Sequence, residues 1–191
     1  MIPRPTFMNA NDVVIDYLDD NRRRLLRAMT DINEDCLYWS PDGEANSIAL
    51  IVWHMGRLLD VFLTQLVLGQ PAADECWFRQ GWAEQTGYDP RGVGRDGWGS
   101  LNDYTPEEVA AVPRFAGDQL LDYHGQVVEL VREMVMVHSI EELLADAPGF
   151  NGRYSKYQVI GMALMDNVRH LGEIYAIKAM WGRQNKRGDN P

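Results

Sequence analysis

Four stretches of this chain repeat apolar residues at intervals of three and four, and none convincingly alternates them in twos. That period puts apolar side chains on one side of a helix, so helices packed on helices are the way to bury them. From residue 11 to 32, Val14, Tyr17, Leu18, Leu25, Ala28, Met29 and Ile32 share one side. Asp16, Asp19, Asp20, Arg22, Arg23 and Arg27 take the other, and Asn21 reads as a water-facing edge residue or as a polar group turned towards a site. A second helix is expected over 46–69, capped by Asn46 or Ser47 and ended by Gly69 and Pro71. Few charges lie in its middle, so it should be buried on more than one side. A third, over 114–137, carries Leu120, Leu121, His124, Val127, Val128, Val131, Met134 and Val135. The fourth, over 155–181, opens on the capping box Ser155-Lys156-Tyr157-Gln158 and should stop at Gly182 and a basic tail. The fold class expected is all-α: one domain over 1–191, an antiparallel four-helix bundle.

Residues 70–104 break the period. They set Trp77, Phe78, Trp82, Tyr88, Trp98 and Tyr104 among six glycines. Connections this long in a compact domain are usually functional or disordered, and repeated large rings argue against disorder. A short helix over about 76–86 is expected, then a loop folded over one end of the domain. It reads equally as a substrate lid, a structural cover or a dimer contact. Thr105-Pro106-Glu107-Glu108 is a strong helix start, and Pro113 should split or kink the helical run beyond it.

Composition narrows the function. A formal charge of −10 on 191 residues works against binding nucleic acid, because such binding is driven by cations that displace phosphate counterions. No window is expected to span a membrane, and Met1 to Asn11 lacks the pattern of a secretory signal. Cys36 and Cys76 form no metal-ligand pattern, which suits a reduced, cytoplasmic setting. A small-molecule substrate and a homodimer are the partners expected.

The chemistry-bearing stretch is Met165-Asp166-Asn167-Val168-Arg169-His170-Leu171-Gly172-Glu173-Ile174. Asp166 and His170 are four apart, so a helix brings carboxylate and imidazole to one face. Such a pair can share a metal ion, with the third ligand from another element. His54, on the stripe Leu50, His54, Leu58, Val61, is the candidate. An ion pair, or a core histidine with its hydrogen bonds met, fits the same spacing. Carboxylates in a buried stripe need partners, and a metal ion or nearby Arg and His would supply them.

The layout resembles the DinB-like superfamily, which includes thiol-dependent maleylpyruvate isomerases and bacillithiol transferases. Ser47-Ile48 with Trp53-His54-Met55-Gly56 is similar to its second-helix ligand segment. His170-Leu171-Gly172-Glu173-Ile174 is similar to its fourth-helix segment, and Trp39-Ser40-Pro41 to its aromatic-x-Pro turn. The resemblance implies metal ligands at His54, Asp166 and His170, with Asp166 standing where the usual His-x-x-x-His motif has its first histidine. Zinc or nickel suits that set, with a low-molecular-weight thiol as cosubstrate. On this reading His124 shuttles protons or stands just behind the ligands, Arg57 or Arg169 holds an anionic substrate, and the loop tryptophans close the pocket. A non-enzymatic stress-response or ligand-binding bundle with a lost site, and a metal-dependent hydrolase, are the alternatives.

Overall fold

Asn9 opens the first helix by accepting from the N–H groups of Asn11 and Asp12, and the Asp12 carboxylate accepts from the Asn9 N–H in return. These bonds satisfy donors that a helix start leaves open. The computed structural model describes residues 9–188, and helix α1 runs Ala10–Met29. Ser47 caps α2, Ile48–Val61, through the Leu50 N–H, and a π-helical turn over Phe62–Val67 continues it. Helix α3 is Gly117–Val137, and α4 is Lys156–Gly188, opened by the Ser155–Gln158 capping box. Among the described residues there are isolated bridges but no strand.

Three expectations change. Helix α4 runs through Gly182: an interior glycine costs only about 1 kcal/mol, and Trp181 beside it packs on Trp39 at 5.7 Å between ring centroids. Asn21 is buried and donates to the Leu164 carbonyl at 3.4 Å, so it ties α1 to α4. Ile48–Val67 also departs from the expectation that no window could span a membrane, being long and apolar enough by composition. With 89% of that window buried inside the fold, it is the core helix.

Helices α1 and α2 each pack against both α3 and α4, closing a ring. Asn11, early in α1, donates to the Val135 and His138 carbonyls at the end of α3, while Arg22 donates to Leu121 near its start. Those two helices are antiparallel. Tyr157 at the start of α4 bonds Asn11, and Lys178 bonds the Ala28 carbonyl, so α1 and α4 run parallel. Asn167 reaches the Met55 carbonyl, whereas Leu66, later in α2, packs on Gly149 ahead of α4. Helices α2 and α4 therefore oppose each other, and α2 and α3 point the same way. This departs from an arrangement in which every successive helix reverses. A same-direction pair needs a crossover as long as the helix, about 30 Å for twenty-one residues.

That crossover contains short helices at Cys76–Arg79, Trp82–Thr86 and Pro106–Ala111. The single helix expected over 76–86 is divided at Gly81, whose φ is +76°. Thr105 and Glu108 form their capping box, and Pro113 separates Pro106–Ala111 from α3. Trp77 and Trp82 are wall rather than lid. Trp77 has no exposed surface and meets Tyr123 at 5.1 Å and Trp53 at 6.2 Å; Trp82 donates to Gln126.

Gly56 permits the close approach of α2 and α3, since a Cβ there would lie 2.9 Å from the Tyr123 ring. Gly56→Ala should destabilise the fold by about 1–3 kcal/mol in urea unfolding, the usual cost of overpacking. His124 is enclosed between helices, 3.1 Å from Asn167 Oδ1 and 3.5 Å from Arg22 Nη1. Burial, with Arg22 beside it, pushes its pKa down to about 4 against a small opposing effect of Asn167. An unfolded imidazole protonates near pH 6.5, so the unfolded chain gains the proton first as pH falls. Stability present above pH 6.5 should be lost towards pH 4, by about 2 kcal/mol at pH 5. Urea unfolding at pH 7 and 5 should show that difference shrinking in His124→Gln.

Candidate metal centre

Facing sides of α2 and α4 bring three side chains together. His54 Nε2 is 3.1 Å from Asp166 Oδ2, and His170 Nε2 is 3.3 Å from the same oxygen. The two imidazole rings stand nearly perpendicular, 4.7 Å between centroids, and one donor atom from each residue lies within 4.8 Å of the others. An ionised carboxylate oxygen only accepts. Each nitrogen turned towards it must carry a proton or share a cation with it. Zinc-like bonds of about 2.0–2.2 Å imply tetrahedral edges of about 3.3–3.6 Å, close to the two nitrogen–oxygen separations found.

The far side of each group is also occupied. His54 Nδ1 bonds the Ser100 carbonyl, which can only accept, so Nδ1 carries the hydrogen. His170 Nδ1 is 2.9 Å from Glu173 Oε2, and Asp166 Oδ1 receives Arg169 Nη2 at 2.9 Å. Partners of this kind fix ring orientation and tautomer behind a metal ligand. Burial opposes ionisation of Asp166, but bonds from His170, His54 and Arg169 outweigh it and hold the carboxyl far below its ordinary range. Burial likewise opposes charge on His170, and the carboxylates of Asp166 and Glu173 raise its pKa despite that. Side-chain exposures of 6% for His54, 16% for Asp166 and 20% for His170 leave the cluster open to solvent along α4.

The other candidates are placed differently. His124 has 1% exposure and bonds Asn167, so the structure puts it in the packing behind α4 rather than at a position to shuttle protons. Arg57 has no exposed surface and is committed to a buried ion cluster, out of reach of a substrate anion. Arg169 lies at the rim with 71% of its side chain exposed. Trp77 and Trp82 line the core instead of closing a pocket. Two participants had no role assigned to them from the sequence. Glu173 had a signal, three residues after His170 on the same face. Ser100 acts through its backbone carbonyl and had none.

The model of the DinB superfamily matches residues 17–174, a span that contains all three candidate ligands. The chain belongs to the DinB superfamily. A search of curated proteins gives no match. Among solved structures, the chain is similar to a conserved protein of locus from Enterococcus faecalis, with a TM-score of 0.73 at 20% identity. The alignment covers 91% of this chain and 98% of that one. At this identity the likeness speaks for the fold alone.

If the three side chains act as one ligand set, His170→Ala should reduce zinc affinity at least about 100-fold in chelator competition, since losing a ligand exceeds the roughly 10–100-fold cost of losing a partner behind one. His124→Gln should leave that affinity unchanged.

Proposed function

We propose that this DinB-superfamily chain, a four-helix bundle with a Trp- and Gly-rich crossover, is a divalent-metal-dependent enzyme acting on a small molecule. His54, Asp166 and His170 hold the ion, zinc or nickel, and the reaction is transfer or isomerisation by a low-molecular-weight thiol. The observation that supports this most is the approach of two Nε2 atoms to one carboxylate oxygen, with an acceptor fixed behind each ring. A divalent cation bound there supplies the charge that keeps a thiol as its thiolate at neutral pH. Three protein donors are also the number that leaves a position for an exogenous ligand.

Around that centre, the chain's own residues orient and admit. Ser100 and Glu173 set the two rings, and the partial exposure of Asp166 and His170 lets a small molecule approach from the α4 side. Arg169, exposed and already near Asp166, is the cation placed to meet an anionic substrate. Arg57 is withdrawn from that role by its burial. The same short contacts favour one other reading. Asp166, Arg169, Glu173 and the two imidazoles can satisfy one another without metal, as they would in a non-enzymatic bundle.

Elemental analysis of protein purified without added metal, paired with a thiol-consumption assay against a panel of electrophiles, separates these readings. About one zinc or nickel per chain, removed by chelator, and thiol turnover lost in both His54→Ala and His170→Ala are expected. No metal in the purified protein, no uptake of added zinc or nickel, and a melting temperature indifferent to chelator would leave the metal-free bundle.

A further inference from the structure

Arg57 follows His54 by three residues on α2, and its side chain is completely buried. Its Nε donates to the Gly99 carbonyl at 3.1 Å and its Nη2 to the Trp98 carbonyl at 3.1 Å. The next carbonyl, of Ser100, is the one that takes His54 Nδ1. Three successive carbonyls of the crossover are thus fixed by two side chains of one helix. The remaining edge of the guanidinium is anchored too. Nη1 lies 3.4 Å from both Asp60 Oδ2 and the Tyr123 hydroxyl, and Nη2 lies 2.8 Å from Glu75 Oε2.

The carbonyl row would not hold this shape by itself. Gly99 and Leu101, on either side of Ser100, have φ of +61° and +75°. For leucine that left-handed conformation costs on the order of 1–2 kcal/mol and persists only where its surroundings enforce it. A Cβ at Gly99 would overlap the Pro90 carbonyl, so the segment has no slack on its outer side. Backbone bonds such as Gly99 N–H to the Val93 carbonyl tie the segment within the crossover, and the guanidinium fork ties its carbonyls to α2.

We propose that Arg57 is a positioning residue of the candidate centre: through the backbone of Trp98–Ser100 it fixes the acceptor for His54 Nδ1–H and thereby aims Nε2 at Asp166. The consequence for metal affinity rests on the metal-dependent function proposed for this centre. The positioning of the ring does not. Planarity is what the role requires, because Nε and Nη2 must serve two adjacent carbonyls at once. A lysine ammonium keeps the charge against Asp60 and Glu75 but has no fork.

The test compares wild type, Arg57→Lys and Gly99→Ala. The second variant displaces the same carbonyl row from the loop side and leaves the buried charges intact. Nitrogen-15 NMR of the metal-free protein should show the His54 Nδ1 hydrogen protected from solvent exchange in wild type. Its exchange should be at least about tenfold faster in both variants, with helix content by circular dichroism retained. Zinc affinity should fall about 10–100-fold in both, the range for losing the partner behind a ligating histidine. Should Arg57→Lys fail to fold, Gly99→Ala decides alone by the same two measurements. A folded variant that keeps the Nδ1 hydrogen protected, with zinc affinity within about twofold of wild type, would overturn the proposal. Wild type that shows the protected hydrogen yet binds no zinc would sink the metal reading, and positioning would then be judged by exchange in the variants.

Discussion

A guanidinium without water must find an acceptor for its donors or cost the fold several kcal/mol. Arg57 meets that demand with Asp60, Glu75, Tyr123 and two carbonyls, and much of the structure is arranged around doing so. Burial opposes its charge, but Tyr123, Glu75 and Asp60 keep it protonated. Asp60 does a second job: its two oxygens accept from the N–H groups of Cys76 and Trp77, at 2.8 and 2.9 Å. The short helix at Cys76–Arg79 lacks a cap from its own Glu75 side chain, so a residue of α2 caps it. Burial, with Asp60 adjacent, pushes the Cys76 thiol up to about 12, which makes it a packing group and no nucleophile. The crossover is therefore pinned to α2 at two places, and Trp77 and Trp82 pack as core.

This pinning links fold to site. The acceptor behind His54 belongs to the crossover, while the one behind His170 is a neighbour on its own helix. One ring is therefore oriented by tertiary structure and the other by helix geometry. Asp166 sets a carboxylate between the two imidazoles and adds a negative charge. In general a carboxylate favours harder cations than imidazole does and leaves a bound ion less electrophilic.

How much of this was legible from residues alone depends on how locally each feature is determined. Helix starts were readable because the cap and its partner sit three residues apart, as at Thr105 with Glu108 and Ser155 with Gln158. Asp166 and His170 were readable for the same reason, and His54 from its stripe and its segment's likeness to the family's. Gly182 misled because a ring contact with Trp39, far back in the chain, overrides a weak local preference. Asn21 and His124 looked like an edge residue and a site residue, yet each meets a group more than forty positions away. Arg57 was singled out for its charge but given the wrong occupation, since nothing in its vicinity names backbone carbonyls of residues 98 and 99 as its partners.

The parallel pairing of α1 with α4 has a consequence for how the chain reaches this state. These helices come from opposite ends of the described sequence, and bonds such as Tyr157 to Asn11 close loops of well over a hundred residues. Closing such loops is entropically costly, and contacts distant in sequence slow folding even among helical proteins. The donor set between α2 and α4 completes only when α4 docks, whereas the buried cluster on α2 draws on the crossover and α3 alone. Bringing the donors together therefore requires that long closure, which holding the crossover against α2 does not.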